Sequence, residues 1–206
     1  MNTLQRDNAD WLLARCGKIT ASRVADVIAK TKTGYGASRA NYMAELLSER
    51  LTGRPTESFQ SPAMLWGIEQ EPFAKVAYAA LTGELVEDVG FIPHPTLSFA
   101  GASPDGKVLD GLVEIKCGSS ATHLDTLLNE SIAQKYVTQM QFQMACTQTQ
   151  WCDYVSYDGR MPEHLQLFVK RVARDDAYIA MLETEIATFD KELTEKLAKL
   201  EERKNG

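Results

Sequence analysis

The chain has 206 residues, 44% of them hydrophobic, and a formal net charge of −6, so it can bury one sizeable core and is too short for two ordinary domains. That acidic balance excludes a protein that coats nucleic acid by bulk electrostatics. Its four cysteines lack the short paired spacing of a zinc ribbon or redox motif, no apolar run reaches the length of a membrane span, and no apolar signal region opens the chain; a cytoplasmic protein with reduced, mostly buried thiols is expected.

A first helix is expected from at or before Asp10, carrying Trp11, Leu12 and Leu13 towards Arg15. Thr20 then predicts an N-cap for a second helix, with Val24, Val27 and Ile28 on its apolar face. Ser22 falls in the first turn, where free backbone N–H groups collect and Arg15 can approach; the pair suits an anion site, although taken alone such residues are more often an ion-pairing arginine and a capping serine. Residues 31–37 read as a Gly-rich basic loop, either a mobile loop tracking a phosphate backbone or a plain connector. A helix beginning near Ser38 is expected to bury Met43, Leu46, Leu47 and Leu51 and to stop at Gly53. A third helix is predicted over 61–81, with Pro62 in its first turn. On it, Glu71 precedes Pro72, whose ring distorts a helix and can aim the carboxylate inward. Met64 on the same helix suits core packing.

Short strands are expected within 86–92 and 97–102, interrupted by Pro93 and Pro95, with His94 between them as a loop residue. Next comes a predicted β-hairpin: Ser103-Pro104-Asp105, a short apolar run at Val108 and Leu109, the turn signal Asp110-Gly111, then Leu112 to Lys116. On its second strand Glu114 and Lys116 share one face, and Val113, Ile115 and Cys117 share the other. Asp105 can sit level with Glu114 across the hairpin. Two carboxylates with a lysine beside them suit a hard divalent cation such as Mg²⁺, and the lysine can orient or deprotonate a bound water for phosphodiester hydrolysis. A bare Glu-x-Lys carries little weight, since Glu202-Arg203-Lys204 repeats the spacing on a charged terminal helix. What distinguishes the first occurrence is a strand with an apolar opposite face and a Pro-Asp just upstream.

A polar loop with Gly118, Ser119, Ser120 and His123 is expected next, and then a helix over 131–146. On that helix Tyr136, Gln139, Met140 and Gln143 share one face by the three-and-four spacing. Two strands, 151–157 and 164–172, follow about the turn Asp158-Gly159-Arg160. Asp175 and Asp176 open a long terminal helix whose stripe of Tyr178, Leu182, Ile186, Phe189, Leu193, Leu197 and Leu200 can pack on the domain or on another subunit.

The hairpin residues resemble the PD-(D/E)xK nuclease motif. Arg15 with Gly17-Lys18-Ile19-Thr20-Ala21-Ser22, Trp66-Gly67 with Glu71, Ser103-Pro104-Asp105-Gly106, and Tyr136-x-x-Gln139-x-Gln141 extend the likeness. Together these blocks resemble the phage lambda exonuclease (YqaJ-type viral recombinase) family over nearly the whole chain. The resemblance implies an α/β fold with a restriction-endonuclease-like core: a mixed β-sheet flanked by helices, ending in a long C-terminal helix. It implies one domain over 1–206, with a helical part (1–85), a catalytic sheet (86–172) and the terminal helix (174–204). The activity it implies is Mg²⁺-dependent 5′-to-3′ digestion of double-stranded DNA, releasing 5′-mononucleotides and leaving 3′ overhangs for recombination by strand annealing.

The resemblance also assigns residues. Asp105, Glu114 and the Ile115 carbonyl would hold a pair of Mg²⁺ ions, for which Mn²⁺ can substitute. Lys116 would position or activate water, and Glu71 would assist. Arg15, Ser22, Ser103 and Gln139 would bind the terminal 5′-phosphate, with Tyr136 and Gln141 completing the motif and Met64 wedging into the duplex end. A homotrimeric ring around DNA and a single-strand annealing partner are implied as well, in a prophage setting and with no membrane. Charge is compatible with this: residues 1–54 carry nine Lys/Arg against five Asp/Glu, and the remainder thirteen against twenty-three, which directs a DNA contact to the N-terminal third. Other readings of the same residues are a site-specific endonuclease or junction resolvase, a non-catalytic DNA-end-binding module, and a Mg²⁺ phosphohydrolase acting on nucleotides.

Overall fold

The computed structural model describes residues 9–56 and 61–205. In chain order the elements are α1 (Ala9–Arg15), β1 (Ile19–Thr20), a 3₁₀ turn (Ala21–Arg23) running into α2 (Val24–Val27), β2 (Lys30–Thr31), β3 (Gly34–Tyr35), α3 (Ala37–Thr52) and α4 (Pro62–Thr82). Then follow β4 (Ile92–Pro93), β5 (Ala100–Ala102), β6 (Gly106–Val108), β7 (Gly111–Lys116), α5 (Ser120–Asn129), α6 (Gln134–Thr147), β8 (Trp151–Tyr157), β9 (Leu167–Ala173) and α7 (Asp176–Glu201). This is the mixed α/β architecture, with flanking helices and a long terminal helix, that the motifs imply.

The main sheet has the order β6-β7-β8-β9, with β7 and β8 parallel and the outer pairs antiparallel. Side-chain alternation on β7 and β8 divides the residues between two helical layers. Val113, Ile115, Cys117, Val155 and Tyr157 face Ala74 and Tyr78 of α4. Leu112, Cys152 and Tyr154 face Met140 and Met144 of α6. Glu114 and Lys116 belong to this second face, so the face of β7 that carries them is roofed by α6. A smaller sheet, β1-β5-β4, joins the N-terminal helices to the hairpin. The third cluster, the largest, gathers Ile19, Val24, Val27, Tyr42, Leu46 and Phe142 with Ile179, Leu182, Ile186, Phe189 and Leu193 of α7. The apolar stripe of α7 therefore packs on its own chain, and only its far end, at Leu200, is exposed.

Several local expectations are corrected. Thr20 ends a strand paired in parallel with β5 and makes no side-chain cap; its N–H donates to Tyr42 Oη at 3.0 Å. Residues 31–37 are not a plain loop, because β2 and β3 pair as a small antiparallel ribbon. Leu51 is exposed, whereas Met43 and Leu46 are buried as expected. Of the run 86–92, only Ile92 joins a strand, and Glu87 forms an isolated bridge with Lys107. The segment after the hairpin is helix α5, whose start is fixed by Ser119 Oγ accepting from the Thr122 N–H at 3.2 Å. His94 is buried, and its Nε2 lies 3.0 Å from Glu183 Oε1 on α7. All four cysteines are free thiols. Among the described residues no helix is long and apolar enough to cross a membrane.

Candidate active site

The hairpin register places Gly106 opposite Val113, which sets Asp105 level with Glu114. Gly106 is required there: a Cβ at this position would lie 2.1 Å from Val86 Cγ1. Where β6 ends, the Asp105 side chain takes over the pairing, with Oδ2 accepting the Ile115 N–H at 2.5 Å. Its carboxylate is thereby held against the middle of β7. Both acids are buried, and Glu114 is fully so.

Glu114 is surrounded by donors. Lys116 Nζ lies 2.5 Å from its Oε1, Gln139 Nε2 donates to the same oxygen at 2.6 Å, and Gln143 Nε2 donates to Oε2 at 2.6 Å. Burial, with Asp105 second, raises the Glu114 pKa above the usual carboxylate value, against the pull of Lys116. Burial opposes the charge on Lys116, but Glu114 and Asp105 outweigh it and lift its pKa above the ordinary lysine value. The Lys116 ammonium lies 4.9 Å from the centre of the Tyr136 ring, which stacks on Tyr154.

Two cavities flank this centre. One, of about 380 Å³, is lined by Asp105, Ile115, Lys116, Cys117, Glu71, Tyr136 and Met64. Glu71 reaches it from α4, which runs through Pro72 as one helix, and its Oε1 lies 3.0 Å from Lys75 Nζ. Burial, then Glu71 and Asp105, push the Cys117 thiol up to about 12, so it is present as the neutral thiol. The second cavity, of about 330 Å³, is lined by Arg15, Lys18, Thr20, Ser22, Arg23 and Met64 among others. Arg15 Nη1 donates to Ser103 Oγ at 3.0 Å and its guanidinium lies 4.3 Å from the centre of the Trp11 ring. Ser22 Oγ is 3.4 Å from Thr20 Oγ1. Met64, half exposed, borders both cavities.

Of the motif residues, Asp105, Ile115, Lys116, Glu71, Tyr136 and Met64 line the first cavity, and Glu114 and Gln139 lie against Lys116 behind it. Arg15 and Ser22 line the second cavity, with Ser103 bonded to Arg15. Gln139, expected at the terminal phosphate, lines neither cavity and bonds Glu114 instead, and Gln141 is not brought to either. Its Nε2 donates to Ala173 O at 2.8 Å and its Oε1 accepts the Asp175 N–H at 2.9 Å, tying α6 to the junction of β9 and α7. Two residues without a site role in the sequence reading join the site. Gln143 is legible four residues after Gln139, on the same helical face. Arg23, stacked 4.1 Å over Tyr42 and paired with Asp26 and Glu45, had no motif to mark it.

Among the described residues, no three His, Cys, Asp or Glu side chains form a set that could hold an ion by themselves. Asp105 and Glu114, level across the hairpin, nevertheless suit Mg²⁺, which keeps several waters and binds through one or two carboxylates plus substrate phosphates.

A mixed sheet that carries an acid pair and a lysine on its hairpin and is roofed by helices is a nuclease-type fold, and solved nucleases share it. An alkaline exonuclease (LHK-Exo) from Laribacter hongkongensis superposes with a TM-score of 0.90 at 49% identity, covering 96% of this chain and 98% of that one. The complex of LHK-Exo with dAMP gives a TM-score of 0.91 at the same identity and coverage. A phage-related exonuclease from Haemophilus somnus 129PT shares the fold, with a TM-score of 0.72 at 14% identity over 89% of this chain and 96% of that one. The YqaJ-like viral recombinase domain matches residues 10–150, and the chain belongs to that family. No curated protein matches it in sequence.

Proposed function

We propose that the protein is a Mg²⁺-dependent exonuclease that degrades one strand of linear double-stranded DNA from its 5′ end, releasing 5′-mononucleotides and leaving 3′ overhangs. The observation that carries this reading is the pairing of two cavities across Met64: one with Asp105 and Lys116, the other with Arg15 and Ser22. Similarity to an alkaline exonuclease over nearly the whole chain supports it.

In this reading Asp105, Glu114 and the Ile115 carbonyl hold the ions. When bound, Mg²⁺ supplies Lewis-acid activation of the scissile phosphate and lowers the pKa of the attacking water. Lys116, kept protonated at rest by the two acids, orients that water and stabilises charge that develops on the phosphate. Glu71 supplies a further acceptor on the cavity wall. Arg15, Ser22 and Ser103 grip a terminal 5′-phosphate by charge-assisted hydrogen bonds, which selects an end and its polarity and sets the register for the next cut. Gln139 orients Glu114 from the side nearest Lys116, and Met64 separates the terminal base pair. Family membership supports extending the reading to a homotrimeric ring that encloses DNA and to a single-strand annealing partner in prophage recombination; light scattering at three times the 22.9 kDa chain mass tests the ring.

Linear duplex labelled separately at its 5′ and 3′ termini tests the activity. Early release of the 5′ label as mononucleotide, only with Mg²⁺, is expected. Early release of the 3′ label, or cutting of closed circular duplex, contradicts it.

A further inference from the structure

Gln143 lies on α6 one turn beyond Gln139, fully buried, with its amide nitrogen 2.6 Å from Glu114 Oε2. The two oxygens of Glu114 have different surroundings. Oε1 takes both Lys116 and Gln139, and Lys116 lines the cavity. Oε2 has Gln143 as its one side-chain donor among the described residues. No described residue supplies a partner for the Gln143 Oε1, although that atom is buried. Leaving a buried acceptor unpaired is unfavourable, so packing alone would favour an apolar side chain of the same length. Turning the amide over would not help, because it would set an acceptor against the Glu114 carboxylate at the same short distance.

We propose that Gln143 is a positioning residue of the ion site: its amide anchors Glu114 Oε2, so that Oε1 alone is offered towards the cavity. The inference rests on the reading of Glu114 as an ion ligand and extends it to a residue outside the motif. Ligands that are held by a hydrogen bond from behind keep their orientation when an ion arrives, and removal of such a partner typically weakens metal affinity by about 10–100-fold. Lys116 and Gln139 share the other oxygen, whereas the Gln143 contact is made to Oε2 alone.

The test is a Mn²⁺ titration followed by electron paramagnetic resonance, with no DNA present, on the parent chain, on Gln143→Met and on Gln143→Asn, alongside the melting temperature of each metal-free protein. Met keeps the length and removes the donor; Asn keeps the amide but ends one methylene short. Both are expected to bind Mn²⁺ at least about tenfold more weakly, as for lost outer-shell partners elsewhere. Parent-like Mn²⁺ affinity in either folded variant overturns the proposal, including the case of a lowered melting temperature with unchanged affinity, which is the signature of packing alone. Failure of both variants to fold, or a parent that binds no Mn²⁺, overturns it as well. A parent that binds Mn²⁺ but leaves linear duplex intact contradicts the proposed function, while the affinity shift of the variants still supports the role of Gln143.

Discussion

At the scale of single residues, position on an element separates roles that composition cannot. Gln139 and Gln143 are one helical turn apart and both reach Glu114, whereas Gln141, between them, faces the β9–α7 junction. The three-and-four rule contains that distinction, and a linear motif of alternating glutamines hides it. Gln141→Ala is therefore expected to lower stability by about 1–2 kcal/mol through two lost hydrogen bonds, seen in denaturant melts, with digestion per folded molecule little changed. Lys116 stands differently. Its ammonium contacts Glu114 and lines the cavity, so Lys116→Ala is expected to slow linear-duplex digestion by about 10²–10⁴-fold, as is typical for loss of a positioned acid or base group. A rate within threefold of the parent would remove the hairpin from the chemistry.

At the scale of elements, the hairpin was readable because its turn signals and two-residue alternation are local, and the register then follows from the turn. Helix α5 was not readable in the same way. Its first turn is Ser, Ala, Thr and His, which reads as polar loop until the Ser119 cap and the burial of His123 and Thr126 are known. His123 is held between Ser156 Oγ and Leu165 O, both at 2.7 Å, contacts that come from distant segments. Gly106 ties an element to the site, since a methyl there would collide with Val86. Gly106→Ala is expected to destabilise by about 1–3 kcal/mol, as overpacking does, and to reduce activity by displacing Asp105; adding Val86→Ala should recover part of both. Behind the site, Asp158 binds Arg160 and Ser120 between β8 and α5. Burial opposes its ionisation, but Arg160 and Ser120 outweigh burial and hold its pKa at about 2, below the ordinary 3.8. Its stabilising contribution is thus complete above the ordinary value and is lost as pH falls towards about 2. Asp158→Asn should flatten the dependence of melting temperature on pH in that window relative to the parent.

At the scale of the whole molecule, the motif blocks conveyed the class of fold and a set of residues most of which the chain gathers around the two cavities, because turn signals and side-chain periodicity are local. Which layer roofs the hairpin and where α7 docks depend on long-range packing. The stripe of α7 allowed two partners, and the cluster with Tyr42 and Phe142 selects its own chain. The basic N-terminal third also acquires a physical meaning. Arg15, Lys18 and Arg23 line one cavity together with Glu45 and Glu49, and Glu71, Asp105 and Lys116 line the other, with Met64 bordering both. Anomalous scattering from crystals grown with Mn²⁺ tests this arrangement most directly. A peak between Asp105 and Glu114 Oε1, at about 2.1 Å from oxygen as for a hard octahedral ion, is the predicted result; a peak elsewhere, or none beside these two carboxylates, would contradict the account.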